Sequence, residues 1–134
     1  FYIPIIAAMG GNVGVQSAAI VVQGLAAKSI SFDNTGYRLL KEFAVAFING
    51  LICSGLVFLY NFYTADNFAL TITVSLALFS VILFASVFGT LVPLALNRIK
   101  IDPALATGPF ITTINDVLGL LIYLNIGKYL FSVL

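Results

Sequence analysis

Four long apolar stretches, joined by short links that hold all but two of the charged residues, constrain this chain more than any other feature. A helix that crosses a bilayer needs about 20 predominantly apolar residues. Stretches of that kind run over about residues 2–27, 43–63, 68–96 and 104–131. Backbone polar groups have no water to bond in hydrocarbon, so each stretch is expected to close its own hydrogen bonds as an α-helix. The expected fold class is therefore all-α: a polytopic membrane helix bundle lying in a lipid bilayer.

Composition agrees. Only 8% of the 134 residues are charged and 61% are hydrophobic, against roughly 25% charged in soluble domains. A net charge of +1 without basic clusters excludes a nucleic-acid surface. There is no histidine, and the single cysteine, Cys53, lies inside an apolar stretch. Neither a disulfide framework nor a Cys/His zinc site can be built from these residues. The chain begins at Phe1 and enters an apolar stretch with no charged leader segment. It reads as the membrane portion, residues 1–134, of something longer.

The basic residues orient the bundle. Lys28, Arg38, Lys41, Arg98 and Lys100 fall on one side of a four-span arrangement, and Lys128 alone lies towards the other. By the positive-inside rule the links 28–42 and 97–103 are cytoplasmic and the C-terminus is extracytoplasmic, in a cell (inner) membrane. Both ends then face outwards, which calls for one further span upstream. Asp33, Asn34 and Gly36 supply turn chemistry in the first link. Tyr60, Tyr63, Tyr123 and Tyr129 sit where interfacial aromatics belong. Ser75, Ser80, Ser86, Gly50, Ser54 and Gly55 are small enough to permit close helix packing.

Two stretches depart from plain apolar helix. The first contains "PIIAAMGGNVGVQSA", where Gly10, Gly11 and Gly14 weaken the helix and Asn12 and Gln16 bring amides to membrane depth. This reads either as a close helix crossing or as a break whose freed carbonyls line a pore. It is not a phosphate loop, since it lacks the lysine and follows no strand. In the fourth stretch Asp102 precedes Pro103 as a natural N-cap, with a metal contact as the alternative role. Gly108 and Pro109 then interrupt the helix. Pro109, Thr112, Thr113 and Asp116 recur at helical spacing on one face, while Asn115 points about 100° away.

Asp116 lies about 18 Å along the helix from Ala104, near mid-membrane. An Asp there costs on the order of 2.5–3.5 kcal/mol on insertion scales, so a role is expected for it. Aspartyl proteolysis needs two carboxylates sharing a proton, and this depth offers one, so no enzyme is expected. A proton- or sodium-coupled exchanger could use Asp116 as its carrier. A hard cation fits better, because hydroxyls, amides and backbone carbonyls supply oxygen ligands. Mg2+ keeps several waters and needs only one or two carboxylates.

Three stretches carry a resemblance to a known family: Pro4 followed by Gly10-Gly11-Asn12 and "VGVQSA"; "GTLVPLALNRIKIDPALATGPFITT", residues 89–113; and "NDVLGLLIYL", residues 115–124. In these the chain resembles the transmembrane domain of the MgtE family of magnesium channels and transporters, over its second to fifth helices. The resemblance implies a homodimer with five helices per subunit and a pathway for Mg2+, with Mn2+ or Co2+ as substitutes. It implies that Asp116 is the central pore ligand for hydrated magnesium. Asn12, Thr112 and Thr113, with the backbone of Gly10 and Gly11, would hold the ion's waters. Asp102 would contribute a metal contact near the cytoplasmic mouth. Many members of the family add N-terminal regulatory domains that sense magnesium. Val15 departs from the family pattern, where a polar residue often stands close to the pore.

Overall fold

The computed structural model describes residues 2–28, 35–65 and 67–133. Its elements are α1 (Ile3–Ala26), α2 (Thr35–Thr64), α3 (Phe68–Arg98), a short 3-10 helix (Pro103–Ala106) and α4 (Pro109–Val133). All four long helical segments are long and apolar enough to cross a membrane. The turn residues Asp33 and Asn34, and Asp66 of the second link, lie outside the described residues.

Local chemistry sets most boundaries. Pro4 sits in the first turn of α1, where its missing N–H removes nothing from the helix. Asn67 caps α3 by accepting from the Leu70 amide at 3.3 Å. Helices α1 and α3 each close on a lysine in the left-handed region, Lys28 at φ 52° and Lys100 at φ 61°. Their amides turn back to the carbonyls of Leu25 and Asn97. That conformation satisfies helix-end carbonyls which would otherwise stay unpaired.

Two boundaries move. Helix α2 begins at Thr35, not near residue 43, so half of the link expected over 28–42 is helical. Arg, Leu, Lys and Glu are good helix formers, and the Arg38 guanidinium donates to the Ile20 carbonyl of α1 at 3.1 Å, anchoring the extra turns. Lys41 lies over the Tyr37 ring, 4.6 Å from its centroid. The fourth stretch does not become α-helical at residue 104. Asp102 caps only the 3-10 helix, and Gly108 at φ 59° breaks the path so that α4 starts at Pro109. The interruption expected at Gly108–Pro109 is thus the true start of the helix.

Helix α3 is the centre. It packs against α1, α2, α4 and the 3-10 helix, while α1 and α4 also pack on each other. Its Val74, Ala77, Leu78, Val81, Ile82 and Ala85 are sealed from the surroundings. A second apolar cluster forms around Ala18, Ala106 and Ile111. At the other end the Tyr2 hydroxyl donates to Asn61 Oδ1, tying the start of α1 to the end of α2. Tyr60, Tyr63 and Tyr129 are exposed, as interfacial residues should be, whereas Tyr123 packs partly against the core.

Helix α1 is continuous from Ile3 to Ala26, so the glycines do not break it. They bring helices together instead. A Cβ on Gly89 of α3 would overlap the carbonyl of Gly14, whose Cα would stand 3.1 Å away. One on Gly14 would overlap Asn115 Nδ2 of α4, and one on Gly10 would meet Val81 Cγ1 at 2.7 Å. Without water to drive helices together, this close approach supplies the packing that holds a membrane bundle. Gly55, by contrast, has nothing within 4 Å of where a Cβ would go. We therefore expect Gly89→Ala and Gly14→Ala each to cost about 1–3 kcal/mol through overpacking, and Gly55→Ala to cost almost nothing. Thermal stability of the detergent-solubilised protein, followed by the loss of its monodisperse peak, checks the contrast.

Candidate functional site

The crossing of α1 over α4 brings three of the expected residues, Gly11, Thr112 and Asp116, together at one place. Asp116 and Thr112 are one turn apart on α4, and Gly11 of α1 lies opposite them. A Cβ on Gly11 would stand 3.6 Å from both Asp116 Oδ1 and Thr112 Cγ2. The glycine therefore leaves the carboxylate a gap about one methyl group wide against the α1 backbone.

Next to it, Asn115 does what its 100° offset requires and turns into the bundle. It is buried, with its Nδ2 donating to the Gly10 carbonyl at 3.4 Å. Gly10 and Gly11 are buried backbone at this crossing. Successive residues of α4 thus have opposite duties: Asn115 locks the crossing and Asp116 faces outward from it. Asn115 was assigned no site role from the sequence. Its offset from Asp116 was the available signal, and the missing knowledge was which helix lay on that side.

Thr112 donates its hydroxyl to the backbone, to the carbonyls of Pro109 at 3.1 Å and Gly108 at 3.3 Å. Its oxygen lone pairs stay available as acceptors. Thr113, Pro109 and Asp116 are exposed on α4, and Asn12 is exposed on α1 next to Gly11. An exposed carboxylate, hydroxyl and amide on the outside of the bundle do not suit hydrocarbon. Ionisable residues at this depth face a bundle interior or a water-filled cavity.

Asp102 is not part of this cluster. Its carboxylate accepts from the Ala104 amide at 2.9 Å, so capping is its observed role. It also borders a cavity of about 220 Å³ with Asn97, Pro103 and the last turns of α1. Val15 is half-buried and packs with Phe88, Val92 and Leu96 around the cluster of Ala18, Ala106 and Ile111. Its apolar side chain thus suits the wall that the 3-10 helix presents.

Among the described residues no three Asp, Glu, Cys or His side chains gather as a metal site. Within this chain a cation at Asp116 finds one carboxylate and neutral oxygens. That donor set suits a hard ion which keeps its own water.

The MgtE family profile, described as divalent cation transporter, matches residues 3–126. Three curated relatives are magnesium transporters of that name. The protein of Bacillus subtilis is 36% identical over 127 residues, 95% of this chain and 28% of its own. That of Thermus thermophilus is 34% identical over 130 residues, covering 97% and 29%. That of Enterococcus faecalis is 33% identical over 127 residues, covering 95% and 28%. The chain thus spans somewhat over a quarter of the length of the relatives it matches.

The geometry makes Gly11 a sharp probe of the site. Gly11→Ala places a methyl in ordinary contact with the carboxylate without overlapping backbone. The expected outcome is unchanged thermal stability with divalent binding weakened by about tenfold, because the methyl takes space that the water around an ion at Asp116 would need. Mn2+ titration of the purified protein measures it.

Proposed function

The chain belongs to the MgtE family of divalent cation transporters, and from that premise we propose that it forms the part of a magnesium transporter through which the ion crosses the membrane. Hydrated Mg2+ is held at Asp116, with Mn2+ or Co2+ able to take its place. The observation that carries this reading is the exposed Asp116 carboxylate against the bare backbone of Gly11, with Thr112 beside it.

Each residue has a separate task. Asp116 supplies the one full negative charge at mid-span, which offsets part of the dehydration cost of a divalent ion. Magnesium gives up water reluctantly, so the waters it keeps need acceptors around them. Thr112 Oγ1, Thr113, the Asn12 amide and carbonyls near Gly10 and Gly11 supply them. Asn115 holds α1 and α4 in register, which keeps the gap at Gly11 open. Asp102 gives a further carboxylate at the end of the bundle that carries Arg98 and Lys100.

A homodimer completes the path. The face formed by Asn12, Thr113 and Asp116 is uncovered in one protomer, and a two-fold axis beside it would set two copies of Asp116 across a shared aqueous pore. Five of the six basic residues lie at the ends that the positive-inside rule assigns to the cytoplasm. The C-terminus of α4 then lies outside.

In cells deficient in magnesium uptake, Asp116→Ala is expected to abolish growth rescue and uptake while membrane insertion stays normal. Uptake at the wild-type rate by that variant contradicts the assignment. In proteoliposomes, a magnesium gradient alone is expected to drive flux. A strict need for a proton or sodium gradient would instead make Asp116 the carrier of an exchanger.

A further inference from the structure

Helices α1 and α2 both pack on α3, and between them runs a crevice of about 90 Å³ that the Asp116 site does not use. Gln16 and Ser17 of α1, Glu42 and Asn49 of α2 and Ser86 of α3 border it, among apolar walls. Glu42 is half-buried there. Among the described residues its carboxylate has no hydrogen-bond or ion-pair partner; only its backbone carbonyl is engaged, accepting from Ser86 Oγ at 3.3 Å.

Among the described residues neither nearby cation forms an ion pair with Glu42, and the Arg38 Nε is itself buried without a partner. Arg38, one turn before Glu42, reaches across to the Ile20 carbonyl, and Lys41 lies over Tyr37. An anionic group that is partly withdrawn from water and left without a counter-charge is costly. Oxygen-bearing side chains share the crevice with the apolar Val13, Ile20, Val45 and Ala46. Ser17 donates to Ser86 at 3.3 Å and keeps its lone pairs, and the amides of Gln16 and Asn49 each offer a carbonyl oxygen. Asn49 Oδ1 has only a weak contact at 3.5 Å from the Cys53 thiol.

We propose that this crevice is a second divalent-cation site, with Glu42 as its charged ligand and Gln16, Ser17 and Asn49 as neutral oxygen ligands. One carboxylate, several neutral oxygens and room for a small ion with some of its water match the way magnesium is held in proteins. One carboxylate with neutral oxygens is a hard-cation donor set, and Cys53 is not among the residues that border the crevice. The site lies towards the end of the bundle that carries Lys28, Arg38 and Lys41, on the flank between α1 and α2. It shares the hard-cation chemistry read at Asp116 and stands apart from it, because Asp116 lies at the α1–α4 crossing. An ion there also bridges α1 to α2, linking its occupancy to the position of α2.

The test uses the full-length protein with Cys53→Ser and a nitroxide on Ile48→Cys, an exposed position beside Asn49. Mn2+ is titrated and the paramagnetic broadening of the label is read. Broadening is expected in this parent and, at the same Mn2+ concentration, in Asp116→Asn. Glu42→Gln is expected to raise the Mn2+ concentration for half-broadening by about tenfold or more, as loss of a charged ligand should. Asn49→Leu shifts it in the same direction and decides the matter if Glu42→Gln does not fold. Broadening that is absent in the parent, unaffected by either substitution, or lost in Asp116→Asn overturns the proposal. Because Asp116→Asn is read separately, failure at Glu42 leaves the Asp116 assignment standing, and the reverse holds too.

Discussion

The contact on which the rest depends is the one between backbones at Gly14 of α1 and Gly89 of α3. It puts the two helices closer than any side chain would permit. With α1 seated this deeply, Gly10 and Gly14 meet Val81 and Asn115, and Asn115 can reach the Gly10 carbonyl. That bond and those contacts fix how α4 crosses α1. The crossing in turn decides which residue of α4 faces inward. Pro93 adds to this region: it removes the amide that would otherwise bond the Gly89 carbonyl within α3.

From that geometry follows the division of labour on α4. Asn115 is enclosed and structural, and Asp116 is presented to the far side with Thr112 and the bare backbone of Gly11 beside it. A carboxylate placed at mid-span is a cost to insertion, and an apolar residue would pack more easily. The surrounding oxygens lower that cost only if a cation or water joins them. The same physical logic applies on the opposite flank of α1, where Glu42 faces the crevice with Asn49 and Gln16. Helix α1 therefore borders both the crossing that presents Asp116 and the crevice that Glu42 lines.

Much of this was legible in the sequence, for reasons that can be named. Charged links separate the spans because charge is excluded from hydrocarbon, so α1 and α3 lie within a few residues of expectation. Asp102 before Pro103 announced its cap, and Gly108-Pro109 marked a discontinuity, although the α-helix begins there and not at Ala104. Asp116, Thr112 and Gly11 were each singled out, and they do meet. What composition hid was tertiary. A run of glycines looks the same whether it breaks a helix or lets a neighbour approach, and only Gly89 on α3 decides between them. The first turns of α2 look like a polar link until Arg38 is seen bonded to α1. Glu42 passed for a residue of that link because its cavity is made by three separate helices. Val15, which departs from the family pattern, packs against the cluster of Ala18, Ala106 and Ile111, elements that only the fold brings together.

The central claim is that the carboxylate of Asp116 holds the transported ion in its hydrated form. The most direct measurement is an anomalous difference map of the full-length protein in its membrane-embedded assembly, soaked with Mn2+. If Asp116 holds the ion, a peak stands beside it on the side away from Asn115, at a distance that leaves water between ion and carboxylate. A map with no density on that face, or with the ion held only at residues remote from Asp116, would contradict it.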